Sequence, residues 1–280
     1  MTMLNRIDLL LRRNSRLPKL PWLRNALRKP YHSIMAMRGS GFDLNLAGIA
    51  PITVPVEYCS SELENYEMET VQAIADWTSA NRGGVFVDIG CSFGYLSCAV
   101  RFLDPDAHVI AIDADLPSLE VTRRMCRYAP RAKGSLDLIL GLIGPAEKSS
   151  PTFETAVART HAALKAANFG SGDVHTNYVV LDTQISPDSL PRMSLDELIA
   201  PDMRPVLIKC DVEGAEQSVL EGASRTLAST GVTLLVSVHP QFVARYGGSV
   251  ERIRALIEDA GYAIEVVGID HEEHWLCQRL

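Results

Sequence analysis

The chain lacks an apolar run approaching the ~20 residues of a membrane span, and Leu9-Leu10-Leu11 falls short of the roughly seven residues of a signal-peptide core. Export and membrane spanning are therefore not expected. It also lacks a CxxC pair: its six cysteines (Cys59, Cys91, Cys98, Cys126, Cys210, Cys277) are widely spread and read as reduced, buried small hydrophobes, which suits the cytoplasm. A basic body is absent too. Nine of the 27 Lys and Arg lie within residues 1–38 beside a single acid, Asp8, and the remainder holds 18 basic against 33 acidic residues. Phosphate contacts need a basic face, so nucleic acid is not the expected partner.

What is present is 280 residues, 47% of them hydrophobic, enough for one large α/β domain with its own core. Residues 1–40 form a basic N-terminal arm in which Met3, Leu4, Ile7, Leu10 and Leu11 recur at helical spacing until Pro18 and Pro21. Two readings stand: a surface helix making peripheral contact with the inner face of a membrane, or a packed or frayed terminal helix. Residues 41–280 form the main domain.

Leu63, Tyr66, Met68, Val71, Ile74 and Trp77 predict an amphipathic helix over 61–81. Strands are predicted at 85–89, 108–113, 136–142, 206–210, 233–238 and 263–267, and helices at 95–103, 117–128, 155–167, 215–228 and 250–259. Such alternation gives a parallel-dominated sheet with helices on both faces. Residues 145–178 are polar and read as an insertion covering the substrate.

The turn after the first of these strands is Asp88-Ile89-Gly90-Cys91-Ser92-Phe93-Gly94-Tyr95. The middle glycine that lets a dinucleotide pyrophosphate approach the backbone is replaced by Ser92, so a nucleotide-dependent oxidoreductase is disfavoured. About 25 residues on, Asp113 ends the next strand, where an acid can accept the hydroxyl protons of an adenosine ribose.

Three blocks resemble the FkbM-type S-adenosylmethionine-dependent methyltransferases: Val85 to Tyr95, Ser194-Leu195-Asp196-Glu197-Leu198, and Ile208-Lys209-Cys210-Asp211-Val212-Glu213-Gly214-Ala215-Glu216 followed by Val219-Leu220-Glu221-Gly222-Ala223. The last is similar to the family's KxDxEGxE signature, and the likeness spans about residues 60–270. Two departures are the Asp113-Ala114 in place of the usual Glu-Pro, and Val238-His239-Pro240 where the family commonly has an acid.

The resemblance implies a Rossmann-like class I methyltransferase fold, a seven-stranded sheet with the last strand antiparallel. It implies S-adenosylmethionine as cofactor, held by Asp88, Gly90, Cys91, Gly94, Tyr95 and Asp113. It also implies methylation of a hydroxyl on a sugar, glycan or secondary metabolite, with Asp211, Glu213, Lys209 and His239 near the acceptor. Lys209 could pair with a carboxylate or polarise the substrate hydroxyl, and Glu216 reads equally as a helix-start acid or a ligand. His239 is the expected base because its ordinary pKa lies near neutrality.

The run Asp270-His271-Glu272-Glu273-His274 offers ligand types for a divalent metal beside Asp211, Glu213 and His239, or else is a polar turn into a closing strand at Trp275-Leu276-Cys277. No metal ligand is assigned. A non-catalytic adenosine-cofactor-binding module docked at a membrane assembly is the rival function, and oligomeric state is left open.

Overall fold

The computed structural model describes residues 41–55, 58, 63, 65–129, 131–169, 190–200, 203, 205–269 and 272–280. The basic arm, and the part of the expected covering segment beyond Phe169, lie outside these residues.

Eleven strands and nine α-helices are described. An antiparallel hairpin opens them, β1 (Gly41–Leu46) and β2 (Ala50–Pro55). Then follow α1 (Met68–Ala80), β3 (Val85–Ile89), α2 (Tyr95–Leu103), β4 (His108–Asp113), α3 (Leu116–Cys126), β5 (Leu136–Leu140), β6 (Leu142–Ile143) and α4 (Phe153–Ala167). The second half runs β7 (Arg192–Met193), α5 (Leu195–Leu198), β8 (Val206–Cys210), α6 (Glu216–Glu221), α7 (Ser224–Ala228), β9 (Val232–Val238), α8 (Pro240–Val243), α9 (Val250–Asp259), β10 (Tyr262–Ile269) and β11 (Glu273–Arg279).

Seven strands form the central sheet in the order β10-β11-β9-β8-β3-β4-β5. The pairs β9-β8, β8-β3, β3-β4 and β4-β5 are parallel, whereas β11 runs antiparallel to both of its neighbours. The expected Rossmann-like methyltransferase sheet, with its last strand antiparallel, is thus present.

Every residue of β3 and β8 is buried, as strands covered on both faces must be. Side chains alternate: Val85, Val87 and Ile89 enter the core on one face with Ile208 and Trp275, while Phe86 enters the other with Ile74, Leu207 and Leu235. The second face carries a polar row at the carboxyl ends of its strands. Asp88 lies in register with Lys209, and Ser237 with His274, so one band of charge crosses β3, β8, β9 and β11.

Helix starts follow local chemistry. The Asp115 carboxylate accepts the Ser118 N–H at 3.0 Å to begin α3, and Ser194 and Glu197 exchange hydrogen bonds in a capping box at α5, a contribution of about 1 kcal/mol each.

Four expectations change. The helix predicted over 61–81 is helical in the described residues only from Met68. The strand predicted over 136–142 is interrupted at Gly141, which separates β5 from β6. The helix predicted over 215–228 is two, because Gly222 packs against the Gly144 carbonyl, leaving 2.1 Å for a Cβ. The hairpin β1-β2 was not predicted. Helix α4 lies against β5, where Thr160 accepts the Leu140 N–H at 2.8 Å and Leu164 is buried.

Candidate active site

A cleft of about 710 Å³ opens over the carboxyl ends of the parallel strands, where a doubly wound sheet receives its ligands. Its walls include Asp88, Gly90, Cys91, Tyr95 and Asp113 at one end, and Lys209, Asp211, Glu213, His239 and Glu272 at the other.

At the first end the loop after β3 is tied to β4. Gly90 and Cys91 N–H groups donate to the Ile112 carbonyl, and the Ser92 N–H donates to Asp113 Oδ2 at 2.9 Å. Gly90 sits at φ +81 with the Asp211 carbonyl 1.7 Å from where a Cβ would stand, so only glycine lets β3 and β8 end this close together. Gly94, at φ +69, lets α2 start against Thr122 of α3, where a Cβ would have 2.6 Å. Tyr95 stacks on Phe93 and donates its hydroxyl to the Tyr58 carbonyl at 2.7 Å.

Asp113 receives the Asp115 N–H on Oδ1 at 2.9 Å as well. Each oxygen keeps a lone pair for a further donor. Burial raises this carboxyl and the two backbone amides pull it back, leaving it at about 7. Asp88 is raised to about 6, by burial against the opposing pull of the Ser97 hydroxyl at 2.6 Å and of Lys209. Burial likewise keeps the Cys91 thiol protonated. Ser92 Oγ is buried without a hydrogen-bond partner among the described residues, a donor left over beside the glycine loop.

At the second end Lys209, only 1% exposed, donates to Asp211 Oδ2 at 2.7 Å and to Ser237 Oγ at 2.8 Å, with Glu67 Oε2 at 3.8 Å. Burial would discharge the ammonium, but Asp211 and Glu67 more than offset it and hold it firmly charged. Of the two roles expected for Lys209, the structure shows the pairing with a carboxylate. Burial would raise the Asp211 carboxyl, yet the Lys209 charge keeps it below its ordinary value.

His239 is almost wholly buried at the start of α8. Its Nδ1 shares a 2.7 Å hydrogen bond with Glu216 Oε1, while Nε2 faces Glu272, with which it is paired, Asp211 Oδ1 at 3.6 Å and Glu213 Oε2 at 3.7 Å. Burial favours the neutral ring, but the hydrogen bonds to Glu216 and Glu272 and the Asp211 charge raise His239 to about 10. A ring already protonated at neutral pH has no lone pair for a substrate proton. That corrects the expectation of a free imidazole base.

Glu216 is both a helix-start acid and a His239 partner, accepting the Gly214 N–H at 3.0 Å. The Ser194–Leu198 block is structural: Asp196 accepts the N–H groups of Arg225 and Thr226 at the start of α7. Glu272 and His274 share one face of an extended segment, as the alternation predicts, and His274 Nδ1 lies 2.9 Å from Ser237 Oγ. Glu67, Ser237, Glu272 and His274 join the cluster without having been assigned to it. Glu67 carried no signal, since its place is set by a left-handed backbone at φ 36 just before α1.

A seven-stranded sheet with one antiparallel strand, a glycine loop tied to a ribose-reaching acid, and charged groups across the same cleft define a Rossmann-like methyltransferase. A model of the methyltransferase FkbM domain matches residues 88–264. The chain belongs to the FkbM methyltransferase family, whose cofactor is S-adenosylmethionine. The donor set fits that cofactor: Asp113 offers free lone pairs, Ser92 an unused hydroxyl, and the loop has open backbone at Gly90.

Among solved structures, the chain is similar to precorrin-6y C5,15-methyltransferase from Geobacter metallireducens GS-15, with 12% identity and a TM-score of 0.47 over 81% of this chain and 97% of that one. It is also similar to methyltransferase FkbM from Methylobacillus flagellatus KT, at 15% identity and a TM-score of 0.43 over 75% of this chain and 53% of the other. A third is the magnesium protoporphyrin IX methyltransferase from Synechocystis PCC 6803 with bound SAH, at 13% identity and a TM-score of 0.39, covering 75% and 80%. Comparison with curated proteins gives no match. Among the described residues no helix is long and apolar enough to cross a membrane.

Proposed function

We propose that the protein methylates a hydroxyl oxygen of a sugar, glycan or secondary metabolite. The observation that carries the reading is that one cleft holds both Asp113 and the Asp211–Glu213–His239 cluster, so donor and acceptor can meet in line. Asp88, Gly90, Cys91, Ser92, Gly94, Tyr95 and Asp113 hold the cofactor, which when bound supplies an electrophilic methyl group. An alcohol oxygen attacks only as its proton leaves, and Asp211 and Glu213 stand at the cleft to orient and receive it. The protonated His239 and Lys209 keep those carboxylates ionised and fixed. The basic arm at residues 1–40 suits an acceptor presented at an anionic membrane surface.

The test is calorimetric titration with S-adenosylmethionine and with NADH, then transfer of a labelled methyl group to a panel of hydroxylated acceptors read by mass spectrometry. Micromolar binding of the sulfonium alone, and an acceptor that gains one methyl on oxygen, are expected. Binding of NADH, or transfer only to amines, overturns the reading. His239→Ala should leave cofactor affinity intact and slow transfer by about 100-fold or more; unchanged turnover removes His239 from the chemistry.

A further inference from the structure

Five carboxylates, Glu67, Asp211, Glu213, Glu216 and Glu272, converge on two basic groups, Lys209 and His239. Lys209 is committed to the Glu67 and Asp211 side. Around the imidazole the remaining negative charge is largely buried: Glu216 and Glu272 are each no more than 5% exposed, and Glu216 Oε2 has no hydrogen-bond partner among the described residues. Burying so much charge of one sign is costly unless a cation joins it.

The geometry of the donors says which kind. One ligand atom each from Asp211, His239 and Glu272 lies within 4.8 Å of the other two. Octahedral coordination at about 2.1 Å puts neighbouring donors about 3 Å apart and opposite ones about 4.2 Å apart, so small side-chain movements close the set around an ion. The three come from the ends of three adjacent strands, β8, β9 and β11, rather than from one loop. The imidazole is also oriented from behind, since Glu216 takes Nδ1 and aims Nε2 at the carboxylates, the carboxylate–histidine arrangement that supports metal ligands.

We propose that Asp211, His239 and Glu272 form a divalent-cation site, with Glu216 as a positioning residue for the imidazole. One nitrogen and two carboxylate oxygens suit a first-row ion such as Mn²⁺ better than Ca²⁺. The role of the ion rests on the methyltransferase reading: open coordination positions face the cleft, where the acceptor hydroxyl binds as a further ligand and is made more acidic. Binding of the ion itself does not rest on it.

The experiment is titration of the chelator-treated full chain with Mn²⁺ alone, followed by electron paramagnetic resonance. One saturable site per chain is expected, with spin-echo modulation from a directly bound imidazole nitrogen. Glu272→Gln and Asp211→Asn should each weaken binding by about tenfold or more, and Glu216→Gln by about 10- to 100-fold, with cofactor affinity retained as the check on folding. No saturable binding, or no nitrogen modulation in the wild type, overturns the site whatever the variants do. Methyl transfer that continues at full rate in excess chelator removes the ion's role while leaving the methyltransferase reading standing. Mn²⁺ binding without transfer to any hydroxyl acceptor has the opposite meaning.

Discussion

Lys209 and Asp211, two residues apart at the end of β8, share a 2.7 Å ion pair beneath the cleft floor. The strand's period of two puts both on one face, and the same pairing returns Lys209 to Ser237 and Glu67 on either side. A single buried ammonium thus links the two walls of the site.

Removing that ammonium leaves its partners buried without a counter-charge. Lys209→Met should destabilise the protein by about 3 kcal/mol, read from the urea midpoint at constant slope. A change below about 1 kcal/mol would mean that water reaches the pair and that the network is not the support described above.

Asp113 links cofactor binding to pH. Held at about 7, its carboxyl gains a proton as the solution is acidified through neutrality and then accepts fewer ribose hydroxyls. Affinity for S-adenosylmethionine should therefore fall between about pH 8 and about pH 6 by calorimetry, and Asp113→Asn should weaken it about 10- to 100-fold while flattening that slope. For the cofactor-free protein the sign is opposite. The raised carboxyl contributes stability that is complete below its ordinary value of about 4 and lost as pH rises through about 7.

Two glycines with similar backbones separate conformational strain from contact. Gly83, at φ +70, has nothing within 4 Å of where a Cβ would stand, whereas Gly90, at φ +81, has the Asp211 carbonyl at 1.7 Å. Gly83→Ala should cost about 1 kcal/mol, and Gly90→Ala well over about 3 kcal/mol with loss of cofactor binding. Equal losses in thermal melts would show that β3 and β8 separate easily.

Strands β3, β4, β8 and β9 were legible because strands buried on both faces leave continuous apolar, β-branched runs. The glycine loop and Asp113 were legible because turn chemistry is local. Hairpin β1-β2 was not: its apolar alternation at Leu44, Leu46, Ile52 and Val54 is interrupted by Pro51 and Pro55, which argue against a strand when read alone. His239 could be located but not its protonation, which depends on Glu216 and Glu272, residues 23 and 33 positions away along the chain. No pattern in sequence announces that meeting, because strand order in the sheet decides it.

The antiparallel placement of β11 between β9 and β10 has a consequence for the order of synthesis. Every other strand of the sheet is made before the one that must wedge between two of them, and Glu272 and His274 arrive on that same segment. A product halted by a premature stop before residue 272 would keep the glycine loop and Asp113 yet lack Trp275 from its core and one wall of its site. The cofactor end of the cleft is thus written into the growing chain long before the acceptor end, which is completed only when the final strand slides into its slot.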